Sequence, residues 1–152
     1  GTFFRQAMFA EYELTVHEAY AEGTPLSGAR LSELYGNILK RYHGHDEGVL
    51  TIDPAFHIEW AYIPHFYRNF YVYQYATSIT AGAAFAEKIL AGDTAARDGY
   101  LQLLSAGGSD DPHDLLVAAG VDMTTAAPYD AVFRKLNAVM DQIEAILDRR
   151  EG

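Results

Sequence analysis

The sequence predicts an all-α protein, and three observations carry that prediction. An apolar stripe runs near the C-terminus, a 25-residue stretch from Phe66 to Leu90 is free of proline, and glycine and proline fall mainly between periodic segments. The first 22 residues contain no glycine or proline after Gly1; Phe3, Phe4, Ala7, Met8 and Glu11 recur at helical spacing until Gly23-Thr24-Pro25 stops them. Leu31, Leu34, Tyr35, Ile38, Leu39 and Tyr42 follow the 3-4 repeat of an amphipathic second helix, closed by the polar loop His43-Gly44-His45-Asp46-Glu47-Gly48. From Val49 to Pro64 the pattern is irregular, and Asp53-Pro54 and Ile63-Pro64 favour turns or extended backbone, which predicts a structured connector.

Phe66 to Leu90, rich in Tyr and then Ala, reads as the longest helix, about 37 Å at 1.5 Å per residue. Asp93 can cap a short helix through Leu104; Gly107-Gly108-Ser109 breaks it, and Pro112 opens another that ends at Gly120. Val132, Phe133, Leu136, Val139, Met140, Ile143, Ile146 and Leu147 lie at offsets 0, 1, 4, 7, 8, 11, 14 and 15, predicting a last helix from about Pro128 to Arg149. The total is about six helices in a single helical domain or subdomain over residues 1–152, with no internal repeat.

Composition narrows the function. With 49% hydrophobic and 21% charged residues the 152-residue chain can bury a core. Eleven basic against 21 acidic residues give a charge of −10, so a nucleic-acid backbone or an anionic membrane would be repelled. The absence of cysteine removes disulfides, thiol nucleophiles and Cys-ligated metals, and favours the cytoplasm. The weakly polar stretch Ala76 to Ala86 is too short to span a bilayer, and the N-terminus lacks the order of a signal peptide; the expectation is a soluble protein.

Most candidate motifs fail on spacing. His17-Glu18-Ala19-Tyr20-Ala21 begins like the zinc motif H-E-x-x-H but has Ala21 where the second His must stand one helical turn on. His43 and His45 with Asp46 could chelate a stray divalent ion, but read better as a solvated loop. His57 has no second cluster to complete a ligand set and reads as structural. No nucleophile elbow, P-loop or dinucleotide fingerprint occurs. The stretch from Ile63 to Tyr75 differs, because His65, Tyr67, Tyr71, Tyr73 and Tyr75 place five hydrogen-bonding rings in eleven positions. On a continuous helix Tyr67, Tyr71 and Tyr75 would share one face, with His65 after Pro64 at the entrance. Two readings stay open at this level: a packed aromatic helix, or a row of donors facing a polar cleft, able to stabilise an oxyanion or hold peptide backbone.

Together with Thr2-Phe3-Phe4-Arg5-Gln6-Ala7-Met8-Phe9-Ala10-Glu11-Tyr12-Glu13, and with the block that runs from Ser105-Ala106-Gly107-Gly108-Ser109 through Ala119-Gly120-Val121-Asp122-Met123, the stretch from Ile63 to Tyr75 closely resembles the oligoendopeptidase F family of zinc metallopeptidases, relatives of thimet oligopeptidase. The resemblance covers essentially the whole chain in three ordered blocks. It implies the C-terminal helical portion of a zincin-type catalytic domain, a fragment lacking the upstream H-E-x-x-H and third Glu ligand. In intact members zinc activates water and the motif's Glu is the general base. By resemblance His65 takes the place of the substrate-binding His, and Tyr71 that of the Tyr donating to the forming oxyanion. Tyr67, Tyr73 and Tyr75 are implied to bind substrate, with Tyr75 the strongest of the three. The resemblance further implies zinc in the intact enzyme but none held catalytically by this chain, short peptides as substrates, and the remainder of the catalytic domain as partner. A different reading is a stand-alone helical domain for peptide binding or self-assembly. With the rest of the catalytic domain missing, the apolar surface made to pack against it is expected to be exposed and to drive homo-oligomers.

Overall fold

The computed structural model describes residues 1–151 and, among them, contains six α-helices, two 3-10 helices and no strand. The α-helices are α1 (Phe4–Ala21), α2 (Gly28–Tyr42), α3 (Tyr73–Leu90), α4 (Thr94–Ala106), α5 (Pro112–Ala118) and α6 (Ala127–Glu151). The connector is ordered, as the sequence predicts, with 3-10 helices over Pro54–Tyr62 and Pro64–Tyr67. No helix of the described residues is long and apolar enough to cross a membrane. The chain forms two compact units, Gly1–Ala76 and Thr77–Gly152.

In the first unit α1 and α2 bury Met8, Phe9, Tyr12, Tyr35, Ile38 and Leu39, joined by Ile52 and Val72. The buried face of α1 is therefore 8, 9, 12 and 13, a correction to the predicted stripe: Phe4 is half exposed, and Glu11 pairs with Arg41 across to α2. Ser27 starts α2 by accepting the Arg30 amide on its Oγ at 3.2 Å. The connector is tied to both helices. Glu59 pairs with Arg5 and accepts the Tyr35 hydroxyl at 2.5 Å, and Trp60 Nε1 donates to Ser32 Oγ at 3.1 Å. His57 packs so closely on Gly36 that a Cβ there would lie 2.6 Å from its ring, which makes it the structural residue its isolation suggests.

Two further expectations need correction. The loop after α2 is not simply solvated: His43 Nδ1 donates to the Leu39 carbonyl at 2.8 Å, and His45 Nδ1 accepts the Ile52 amide at 2.9 Å. Both imidazoles thus clip the loop to its neighbours. Nor does one helix run from Phe66 to Leu90. The chain makes a 3-10 turn through Tyr67, reverses at Phe70 with φ +50°, and enters α3 only at Tyr73. The longest helix is α6, with 25 residues.

In the second unit the Ala-rich part of α3 packs Ala81, Ala84 and Phe85 against Ala119, Val121 and Ala131. The predicted Asp93 cap forms, its Oδ1 accepting the Ala96 amide at 3.0 Å, and Asp111 does the same for the His113 amide ahead of Pro112. Glu87 accepts Arg134 on both carboxylate oxygens at 2.7 and 2.6 Å, which holds its carboxyl below the usual range and secures the start of α6. Further along α6, Val139, Met140, Ile143, Ile146 and Leu147 remain 39–52% exposed.

The first unit's core contains two phenols, and they set its behaviour in base. Burial pushes the Tyr12 phenol well above its ordinary value; burial, then the hydrogen bond to Glu59, does the same to Tyr35. Folded chains therefore keep protons that unfolded chains release near pH 10, so this stability is complete below about pH 10 and is lost as pH climbs further. Tyr12 Oη has no hydrogen-bond partner among the described residues. Tyr12→Phe removes that unpaired hydroxyl, whose burial costs about 1–3 kcal/mol. The variant is expected to match or exceed the wild-type melting temperature at pH 7 and to lose less on going to about pH 11. Thermal melts at the two pH values check this, and a large drop at pH 7 would contradict it.

Candidate active site: a His-Tyr-Tyr cluster at a reversed turn

His65, Tyr71 and Tyr75 all lie in the first unit, and buried neighbours in the sequence position each of them. Pro64 opens the short 3-10 helix, and the next residue but one, Phe66, is driven into the core, edge-on to Phe9 at 5.7 Å between ring centroids and tilted on Tyr12 at 5.3 Å. That anchorage leaves His65 on the other side of the turn, half-buried. Val72, fully buried, anchors the far end of the reversal and sets Tyr71 beside it.

The three rings form one cluster. His65 and Tyr71 stack at 5.8 Å between centroids with 13° between planes. Tyr75 stands edge-on to both, 5.7 Å from His65 and 5.4 Å from Tyr71. The Tyr71 and Tyr75 hydroxyls are 3.1 Å apart, and Tyr75 Oη lies 3.4 Å from His65 Nε2. The Arg68 guanidinium sits 5.7 Å from the Tyr71 ring centroid, a cation on the ring face. Hydrogen bonding to Tyr71, then desolvation, raises the Tyr75 pKa, while the Arg68 charge opposes the rise. Either hydroxyl can donate in the Tyr71–Tyr75 contact; with Tyr75 as donor, the Tyr71 proton is left for an acceptor brought from outside.

The other two candidate tyrosines are more exposed than Tyr71 and Tyr75. Tyr67 is 85% exposed at the end of its 3-10 helix, and Tyr73 is 49% exposed at the first residue of α3. The expected single helical face of Tyr67, Tyr71 and Tyr75 is corrected: only the last two converge, and the backbone reversal between Tyr67 and Tyr71 leaves Tyr67 off their face. Two neighbours of the cluster lie within the resembling blocks but are not singled out there as candidates. Arg68 carries no motif, and Glu13, 4% exposed on α1, accepts the Phe70 amide at 2.8 Å. The available signal for Glu13 is a lone acid four residues after Phe9 on an apolar face.

The donor set does not fit a zinc ion. Among the described residues no group of three or more His, Cys, Asp or Glu could hold a metal. His17 rests on the Phe70 ring at 4.6 Å, and His113 faces Asp114 and Asp122 at 3.7 and 3.5 Å, remote in sequence from the others.

Comparison with known proteins gives this geometry its context. The profile of Peptidase family M3 matches residues 1–135. The oligopeptidase PepF of Bacillus subtilis is 43% identical over 147 residues, covering 97% of this chain and 22% of the relative. The plasmid-encoded oligoendopeptidase F of Lactococcus lactis subsp. cremoris is 41% identical over 151 residues, covering 98% and 24%. The crystal structure of oligoendopeptidase-F from Enterococcus faecium superposes with a TM-score of 0.92 at 40% identity, covering 98% of this chain and 28% of that one. An all-α chain with a His-Tyr-Tyr cluster thus falls among the helical segments of peptidases. The chain belongs to peptidase family M3. It spans about a quarter of the length of the curated relatives it matches.

Proposed function

We propose that this chain is the C-terminal helical portion of a cytoplasmic zinc oligoendopeptidase acting on short peptides, and that it supplies the wall opposite the metal. The observation that carries the reading is the 3.1 Å contact between the Tyr71 and Tyr75 hydroxyls with His65 stacked under Tyr71. As the scissile carbonyl oxygen gains negative charge, Tyr71 donates its hydroxyl proton in a hydrogen bond to that oxygen. With Tyr75 donating to Tyr71 Oη, electron density is drawn from that oxygen and the Tyr71 O–H becomes a stronger donor to the substrate. His65 fixes the plane of the Tyr71 ring and offers an imidazole nitrogen to substrate backbone. None of these groups has to move far, which is what makes such donors effective. The metal implied by the resemblance would be held by residues outside this chain.

The exposed stripe from Val139 to Leu147 supports the same reading, as a face covered by the remainder of the catalytic domain. A gene product of the relatives' length is expected to cleave a quenched-fluorescent peptide of about ten residues and to stop on chelation. The 152-residue chain by itself is expected to cleave nothing. Comparable chelator-sensitive cleavage by the short chain would contradict the proposal. Peptide binding without hydrolysis by the longer protein would instead favour a binding domain.

A further inference from the structure

We infer that Glu13 is a positioning residue for Tyr71, acting through the backbone turn at Phe70; the functional part of this inference rests on the substrate-wall reading above. Phe70 has φ +50°, and it is the one non-glycine residue with positive φ among those described. A bulky side chain seldom adopts this left-handed conformation, so the turn persists only where its surroundings hold it. Here the holding contact is visible. Glu13 is 4% exposed, and its Oε1 accepts the Phe70 amide at 2.8 Å across 57 residues of sequence. On the same helix His17 lies against the Phe70 ring at 4.6 Å.

The turn has a direct consequence for the site. A helix continuing from Tyr67 would carry Tyr71 onward and away from His65. The reversal at Phe70 folds the chain back, and the next residue, Tyr71, comes to lie parallel to His65 at 5.8 Å with its hydroxyl 3.1 Å from that of Tyr75. A carboxylate is also an unusual choice for this position. Glu is seldom so fully buried unless it is paired, and α1 could fill the same volume with Leu or Met at no desolvation cost. What Leu or Met cannot do is accept the Phe70 amide.

The test uses two readouts. In the 152-residue chain, Glu13→Ala is expected to expose the Phe70 amide to hydrogen exchange while α2 and α4 stay protected, and to weaken the nuclear Overhauser contact between the His65 and Tyr71 rings. In the full-length protein the same change is expected to lower kcat by about 10–10²-fold with KM little altered, the size of effect that follows from displacing a reacting group by about 1 Å. Glu13→Gln, which keeps an acceptor oxygen at the same reach, is expected to retain the ring contact and most of kcat. Adding Phe70→Gly to Glu13→Ala supplies a residue at ease with positive φ and is expected to restore the contact and most of the lost rate. Should Glu13→Ala fail to fold, the double variant decides: recovery of the fold and the ring contact supports the inference, and failure to recover overturns it. An unchanged His65-Tyr71 contact in Glu13→Ala also overturns it. Absence of peptidase activity in the unaltered full-length protein would defeat the functional proposal alone, since the exchange and ring-contact readouts need no catalysis.

Discussion

Replacing Tyr71 by Phe is expected to lower kcat of the full-length protein by about 10²–10³-fold, the cost of removing one preorganised donor from a forming oxyanion. KM is expected to change little, because the hydrogen bond strengthens as the carbonyl oxygen charges and contributes little to ground-state binding. The ring remains in Tyr71→Phe, so its stack on His65 and the Arg68 contact survive; only the hydroxyl is lost, together with its partnership with Tyr75. At a half-buried position, losing that one bond should cost about 0.5–1.5 kcal/mol in stability, too little to unfold the protein. Steady-state kinetics with a thermal melt beside them separate the two effects. A Tyr71→Phe enzyme of unaltered kcat would remove Tyr71 from the reaction.

The second large effect is expected at His65. His65→Ala takes away both the surface on which Tyr71 rests and the nitrogen 3.4 Å from Tyr75 Oη, and a fall in kcat/KM of about 10²-fold is expected from the loosened geometry. His65→Phe divides the two roles, since it keeps a ring to stack and lacks the nitrogen. If the stack dominates, His65→Phe will recover much of kcat while KM stays raised through the lost contact to substrate backbone. If His65→Phe is as slow as His65→Ala in kcat, the nitrogen itself serves the transition state. Either result keeps His65 in the site, and full activity in both variants would exclude it.

Much of the helical framework was legible because its signals are local. Asp93 caps the helix that follows it, Pro112 occupies a first turn, and the stripe from Val132 to Leu147 lies on α6. The chemistry-bearing stretch was legible in its residues and not in its shape. Phe66 to Tyr73 contains no glycine or proline, so no local breaker marks an end to the helix there. The break comes from elsewhere: Phe66 and Val72 seek the core, and Glu13 holds the intervening amide. Tertiary burial and one long-range hydrogen bond outweigh helix propensity, which is worth only tenths of a kcal/mol per residue. The convergence of His65 with Tyr71 and Tyr75 is a product of that reversal, and it also explains why Tyr67, correctly spaced for a helix, ends up in solvent.

The same distinction holds for α1. Its two faces differ little in polarity, and the predicted stripe of Phe3, Phe4, Ala7, Met8 and Glu11 is displaced in the structure to Met8, Phe9, Tyr12 and Glu13, with Glu11 on Arg41. A glutamate in line with Phe9 and Tyr12 breaks the apolar pattern at one position, and that position serves the turn beneath Tyr71. His43 and His45 were legible as a pair but not as loop clips, because their partners are main-chain groups that no side-chain pattern announces.

The claim that Tyr71 belongs to a wall complementary to the tetrahedral intermediate is tested most directly by inhibition with a phosphinic peptide, whose tetrahedral oxyanion imitates that species. Its inhibition constant is measured against full-length wild type and against Tyr71→Phe. The analogue is expected to weaken about 10²–10³-fold, in step with the loss of kcat/KM, while a substrate-like peptide keeps its KM. An analogue that binds both proteins equally, or weakens no more than the substrate-like peptide does, would contradict it.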